Sequence, residues 1–170
     1  MTQRMDVVDL ELPRWAHRLG NGAEPDRAPL EDAKALVPAR FDRFVPADHP
    51  AFRYGLTLHD NGFFWEAHEI WEAVWKAAPM NGPDRLAVRA LIQIANAGLK
   101  RRMGRDRAAE RLIGEARGIF RELPARGTGT EPSVAGRLRI GAVEEQLRRF
   151  EAGAQVRLGP MLLPERNKSA

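Results

Sequence analysis

Apolar residues recur every three or four positions along most of the chain after residue 47, and this spacing predicts helices. Cap and turn signals divide the region into five segments. The predicted helices run from Asp48 to His59, from Phe63 to Ala77, from Pro83 to Met103, from Asp106 to Leu123, and over Ile140 to Phe150. Because no useful length of chain alternates with a period of two, we predict an all-α, single-domain bundle of about five helices.

Proline and glycine are concentrated in the first 46 residues, which argues against long helices there. Apolar residues such as Trp15 and Phe41 suggest that this region docks on the core, and a short helix is predicted over Leu30–Leu36. The end of the chain is only weakly patterned. The predicted organisation is an irregular N-terminal docking arm over residues 1–46, a helical core domain over 47–153 and a C-terminal tail over 154–170.

The second predicted helix has an unusual composition, with three of the four tryptophans, one of the four histidines and three glutamates. A helical wheel at about 100° per residue gives it two contrasting faces. The apolar face consists of Ala67, Ile70, Trp71 and Val74, and the opposite arc consists of Trp65, His68, Glu69, Glu72 and Lys76. The i, i+4 spacing of His68 and Glu72 allows both side chains to reach one point.

The third predicted helix is apolar over about two-thirds of its circumference, which predicts a central position in the fold. Its polar residues form one stripe, made of Arg85, Arg89, Gln93, Asn96 and Lys100. The short link makes the second and third helices antiparallel neighbours, which would set Glu72 near Arg89 and His68 near Gln93. We therefore expect a partly buried polar cluster of His68, Glu69, Glu72, Arg89 and Gln93, with Tyr54 beside it.

Two interpretations of this cluster stay open. It could be a hydrolase-like site, in which buried carboxylates and a histidine with shifted pKa values perform acid–base chemistry. Alternatively, the protein is a non-catalytic binding or interaction module, and the cluster is a network that fixes the packing of the helices. If the cluster is buried, His68→Ala or Glu72→Ala should destabilise the fold by about 2–4 kcal/mol, because the partner is left unpaired.

A metal is the one cofactor that these residues bring into consideration. His68 and Glu72 supply two suitable ligands, whereas a catalytic zinc ion needs about three from the protein. The sequence His68-Glu69-Ile70-Trp71-Glu72 also differs from the His-Glu-x-x-His pattern of zinc proteases, because its fifth position is a glutamate. We therefore assign no metal ligands, and the cofactor and the enzyme class stay undetermined at this stage.

The composition of the chain indicates which partners and which cellular compartment to expect. The chain has 27 Lys+Arg against 23 Asp+Glu, mostly as arginine, and the acids are interleaved with the bases. No nucleic-acid-binding motif accompanies these arginines, so nucleic acid is a disfavoured partner, and a small molecule or another protein is expected. There is no cysteine, no apolar run of the roughly 18 residues that a membrane span needs, and no N-terminal leader. We expect a soluble cytoplasmic protein, and a homo-oligomer is compatible with this composition.

The central part of the chain resembles domain-of-unknown-function family 309 over about residues 48–123. The resemblance rests on Phe52-x-Tyr54-Gly55, on Gly62-x-Phe64-Trp65-Glu66-Ala67-His68-Glu69-x-Trp71-Glu72-x-x-Trp75, on Arg85, and on Leu91-Ile92-Gln93-Ile94-Ala95. It implies a small all-helical fold of bacteria and archaea, whose members are often labelled predicted metal-dependent hydrolases without an established substrate. The matching positions include His68, Glu69, Glu72 and Gln93. Asn96 and Arg105 depart from the family pattern.

Overall fold

The computed structural model describes residues 10–17, 22–126 and 132–162, with the side chains of residues 124–126 excepted. Within these ranges the chain forms seven α-helices, one short 3₁₀ helix and no β-strand. The α-helices are α1 (Ala28–Ala35), α2 (Pro50–Asp60), α3 (Phe64–Ala77), α4 (Pro83–Arg102), α5 (Asp106–Arg126), α6 (Val134–Arg137) and α7 (Ile140–Glu151), and the 3₁₀ helix is Gly159–Met161. The prediction of an all-α fold is confirmed.

The five predicted helices correspond to α2, α3, α4, α5 and α7, and the short predicted helix of the arm corresponds to α1. Two local details differ from the prediction. Helix α2 begins at Pro50 and not at Asp48, because Pro50 takes the first helical position. The N-cap is His49, whose ring accepts a bond from the Ala51 N–H. Helix α5 continues through Pro124 to Arg126, three residues beyond the predicted end at Leu123, and residues 127–131 lie outside the described ranges.

Helix α4 lies at the centre of the fold, as its apolar circumference predicts. It packs against α3 on one side and α5 on another, and most of its apolar residues are buried, while Leu86 and Ile92 are partly exposed. Helix α2 packs against α3. The apolar face predicted for α3 is confirmed, since Ala67, Ile70, Trp71 and Val74 are all fully buried.

Residues that precede and follow the five predicted helices in the chain contribute to the same core. Leu30 and Ala33 of α1 are buried within it, and so are Val156, Leu158 and Met161 near the end of the described chain. Parts of the predicted arm (1–9 and 18–21) and of the predicted tail (163–170) lie outside the described residues. The division into arm, core domain and tail stays a prediction.

None of the helices in the described ranges combines the length and the apolar content that crossing a membrane requires.

Candidate functional site

The predicted site residues of α3 lie at its surface. Nε2 of His68 is 3.7 Å from Oε2 of Glu72, and these side chains are 26% and 39% exposed. Glu72 also pairs with Lys76 at 3.2 Å. Oε2 of Glu69 points instead toward α1, where Nζ of Lys34 lies 3.2 Å away. The exposure makes these weak surface ion pairs, so the effect of 2–4 kcal/mol expected for a buried pair no longer follows.

The predicted residues of α4 have their contacts elsewhere. Gln93 donates from Nε2 to Oε2 of Glu115 on α5, at 2.6 Å. Arg89 is exposed and lines a shallow depression beside Trp75 and Arg85. Among the described residues, no hydrogen bond or ion pair joins the polar arc of α3 to Arg89 or Gln93. The predicted pairings between α3 and α4 therefore do not form. Helix α1 packs against α3 and helix α5 packs against α4, so these two helices lie against the polar surfaces that were expected to face each other.

The structure thus brings together His68 and Glu72, and it separates Glu69, Arg89 and Gln93 from them. Tyr54, expected beside His68, donates its hydroxyl to the carbonyl of Glu11 at 2.6 Å. Whether the five predicted residues act in catalysis stays a prediction.

These residues do not fit a resident metal ion. His68 and Glu72 are two donors, and no group of three or more His, Asp or Glu side chains within the described ranges is arranged to hold a metal. A catalytic zinc ion needs about three protein ligands.

A pocket with a volume of about 280 Å³ lies between the end of α4 and the segment that follows α7. Sequence reasoning had not identified it. Its lining is His59, Phe64, Ile94, Gly98, Arg101, Arg102, Phe150, Gly153, Ala154, Gln155 and Val156. Two guanidinium groups and an imidazole thus share the pocket with an apolar wall, and none of the lining residues that the structure describes is acidic. Such a combination of apolar lining and a few polar groups is typical of small-molecule sites.

The two arginines differ in how their guanidinium groups are held. Arg102 donates to the carbonyl of Gly62 at 2.7 Å, and its guanidinium carbon lies 4.4 Å from the ring centre of Phe64. The guanidinium carbon of Arg101 lies 3.4 Å from the ring centre of Phe150. One nitrogen of Arg101, NH1, is buried without a hydrogen-bond partner. A buried cationic donor is costly when unpaired, so this nitrogen is suited to an acceptor supplied by a ligand.

The histidine of the pocket is fixed by its neighbours. His59 is 1% exposed, and its ring centre lies 5.1 Å from that of Phe64 and 6.1 Å from that of Trp71. Its Nδ1 is 3.2 Å from Oδ1 of Asp60. Asp60 also accepts N–H bonds from Leu158 at 2.8 Å and from Gly159 at 3.0 Å. Burial raises the pKa of Asp60, but the contact with His59 and the two N–H bonds outweigh it, so the pKa is lowered overall.

Glu66 is a second polar residue that the sequence argument missed. It is 1% exposed, although it stands in the most distinctive motif of the chain. Its Oε1 accepts the backbone N–H of His17 at 2.6 Å, while its Oε2 is buried without a partner. Burial raises the pKa of Glu66 more than the N–H bonds and the charge of Arg102 lower it. The helical wheel could have indicated this burial, because Glu66 lies about 40° from Ile70 at the edge of the apolar face.

Comparison with known proteins gives one family. The family described as "Domain of unknown function (DUF309)" matches residues 52–112. This segment contains α2 from Phe52 onward, all of α3 and α4 and the first turns of α5. It includes His59, Glu66, Arg101 and Arg102 as well as the five predicted site residues. No curated protein and no solved structure matches the chain.

Proposed function

Residues 52–112 of this chain belong to the domain of unknown function family DUF309, and from the pocket beside this segment we propose that the protein is a helical binding module for a small anionic ligand. The proposed ligand carries a phosphate or carboxylate group beside an apolar body. The observation on which this proposal depends is the unpartnered NH1 of Arg101, which is buried in a pocket of about 280 Å³.

The charge of the pocket supports an anion. Arg101 and Arg102 both line it, His59 adds an imidazole, and none of its lining residues in the described part of the chain is acidic. Arginine presents several donors in a planar fork that matches the oxygens of phosphate and carboxylate. The stacking on Phe150 and Phe64 holds both guanidinium groups in place before a ligand arrives, which reduces the entropy lost on binding.

The opposite wall supports an apolar ligand body. Phe64, Ile94 and Val156 line it, and Gly98 allows Phe64 to approach α4 closely. A Cβ added at Gly98 would lie 3.0 Å from ring carbons of Phe64. A free anion would leave this wall hydrated, whereas an anion attached to a ring or a short alkyl chain would cover it.

Binding of inorganic phosphate and of phenyl phosphate to the full chain tests this proposal by isothermal titration calorimetry at low ionic strength. We expect phenyl phosphate to bind more tightly, because only this probe covers the apolar wall. The Arg101→Met change removes the charge and retains an unbranched stem against Phe150. A hydrogen bond to a charged group contributes about 1.5–3 kcal/mol, so we expect this variant to bind phenyl phosphate about 10-fold to 100-fold more weakly.

The matched control is Arg107→Met, which removes an exposed arginine of α5 outside the pocket. It should leave the affinity within about twofold of the wild type, since a distant surface charge is screened by solvent. Equal losses in both variants would attribute binding to general positive charge and contradict the proposed site. So would an absence of saturable binding for either probe up to about 10 mM.

A hydrolase-like site formed by His68, Glu69, Glu72, Arg89 and Gln93 is the second proposal. The contact that favours it is the His68–Glu72 pair, in which His68 is partly exposed and can be reached from solvent. We expect wild-type protein to hydrolyse at least one ester, amide or phosphoester of a chromogenic panel, and His68→Ala to lose this activity while unfolding within about 1 kcal/mol of the wild type. Equal activity in wild type and variant would contradict a catalytic His68.

A cytoplasmic location is part of the proposed function. It is supported by a chain without cysteine, which has no disulfides to form in an oxidising compartment.

A further inference from the structure

Residues 10–17, here called the docked segment, are held on the helical core mainly through their main chain. The hydroxyl of Tyr54 donates to the carbonyl of Glu11 at 2.6 Å. The carboxylate of Asp26 accepts the N–H of Arg14 at 2.8 Å, and Glu66 accepts the N–H of His17 at 2.6 Å. Three buried side chains thus contact backbone groups spread over seven residues. Such contacts recognise the path of a peptide more than its side chains.

The side chains of the docked segment contribute unevenly. Pro13 is buried, and the ring of His17 meets the ring of Trp65 edge-on at 4.6 Å. In contrast, Leu12 is 39% exposed and Trp15 is 42% exposed. The three main-chain groups are thus joined by a few side-chain contacts, which are Pro13, the ring of His17, the ion pair of Arg14 with Asp26 at 3.4 Å and the bond from Nε1 of Trp15 to the carbonyl of Glu24 at 2.9 Å.

The docked segment leaves part of this surface unsatisfied. Oε2 of Glu66 is buried without a hydrogen-bond partner, and so is Nδ1 of His17 beside it. Since buried polar atoms are nearly always paired in folded proteins, two such atoms at one contact need a physical explanation. Oε2 belongs to the surface and Nδ1 to the docked segment, so the docked segment covers Glu66 without supplying a donor to its Oε2, and a peptide with a donor side chain at this point would supply one.

We propose that Tyr54, Asp26, Glu66 and Trp65 form a peptide-binding surface, which the docked segment occupies until a partner protein displaces it. The partner would present a short segment with a proline at the position of Pro13 and main-chain N–H groups at the positions of Arg14 and His17. The two carboxylates give the surface negative charge, and Asp26 already pairs with the side chain of Arg14. A basic, proline-containing segment with a donor side chain for Oε2 of Glu66 therefore fits best. This surface is distinct from the anion pocket.

The His17→Pro change in the full chain tests the main-chain contact, because proline has no N–H to donate to Glu66. Hydrogen exchange measured by mass spectrometry reports the protection of residues 10–17. We expect this protection to fall at least tenfold in the variant, while the exchange of α4 is unchanged. Tyr54→Phe, which removes the hydroxyl bonded to Glu11, should have the same direction of effect. Leu12→Ala is the control, since it retains every main-chain contact.

Rescue by a peptide tests the surface itself. A fluorescent peptide with the sequence of residues 10–17 should bind the His17→Pro protein at least tenfold more tightly than it binds the wild type, where the tethered docked segment competes at a high effective concentration. The same peptide with the His17→Pro change should bind at least tenfold more weakly.

Three results would overturn the proposal. The first is that the amides of residues 10–17 in the wild type exchange as fast as those of a free peptide. The second is that the peptide binds the wild type and the His17→Pro protein with equal affinity. The third is that the unchanged peptide and the His17→Pro peptide bind with equal affinity.

Discussion

Replacement of Asp84 by alanine is expected to destabilise the protein by about 2–6 kcal/mol. Asp84 is 2% exposed, and its two oxygens accept the N–H groups of Val45 and Ala135 at 2.8 Å each. The hydroxyl of Ser133 also bonds to it, while burial raises its pKa above the ordinary value. Without the carboxylate, two buried N–H groups lose their acceptors, and each unpaired group costs about 1–3 kcal/mol.

Urea unfolding of wild type, Asp84→Ala and Asp84→Asn measures this effect. The asparagine variant should lose about half as much stability, because its amide retains one acceptor oxygen. Asp106→Ala is the matched control, since Asp106 also stands in the first turn of a helix but is exposed, and it should cost about 1 kcal/mol or less. A loss below about 1 kcal/mol for Asp84→Ala would mean that the two N–H groups find other acceptors.

The second large effect is expected for Gly55→Ala, which should lower the free energy of unfolding by about 3 kcal/mol. Gly55 lies in α2 where the indole of Trp71 crosses it, and an added Cβ would lie 2.6 Å from Cε2 and 2.7 Å from Cδ1 of that ring. Trp71 is fully buried, and its Nε1 donates to the carbonyl of Phe52 at 3.3 Å. The ring can retreat only by losing this bond and disturbing the core, which outweighs the gain of about 1 kcal/mol that alanine brings to a helix.

Gly118→Ala is the matched control, and urea unfolding of both variants should show the opposite change in stability. Gly118 lies in α5, and an added Cβ there would have no neighbour within 4 Å. This variant should be more stable than the wild type by about 0.5–1 kcal/mol, because only the helix propensity changes. Similar unfolding midpoints for Gly55→Ala and Gly118→Ala would show that Trp71 can move without cost.

The helices were predictable because their signals are local. Pro50 and Pro83 mark the first turns of α2 and α4, and the apolar spacing from Ala67 to Val74 identifies the buried face of α3. The central position of α4 follows from its wide apolar circumference. Each of these features depends on residues within a few turns of each other, so one sequence is sufficient.

The candidate site was predictable only in part, because the prediction considered only the contact between α3 and α4, whereas other helices also pack against both of them. His68 and Glu72 are neighbours on one helix, and their contact was predicted correctly. Gln93 turned out to contact α5, and Glu69 to contact α1, since these helices cover surfaces that the antiparallel pair alone would share. Glu66 was missed because a charged residue at the edge of an apolar face is ordinarily solvated, whereas here it is buried and bonds to the N–H of His17.

The amino-acid sequence by itself determined the all-α class, the central helices and the match of residues 52–112 to DUF309. The tertiary structure alone decided which polar groups are buried and what they bind. Asp84 bonds to residues 39 and 51 positions away, and Asp60 to one 98 positions away. The physical reason is that helical periodicity gives the direction of a side chain from its own axis, whereas its solvation and its partners depend on the segments that pack against that direction.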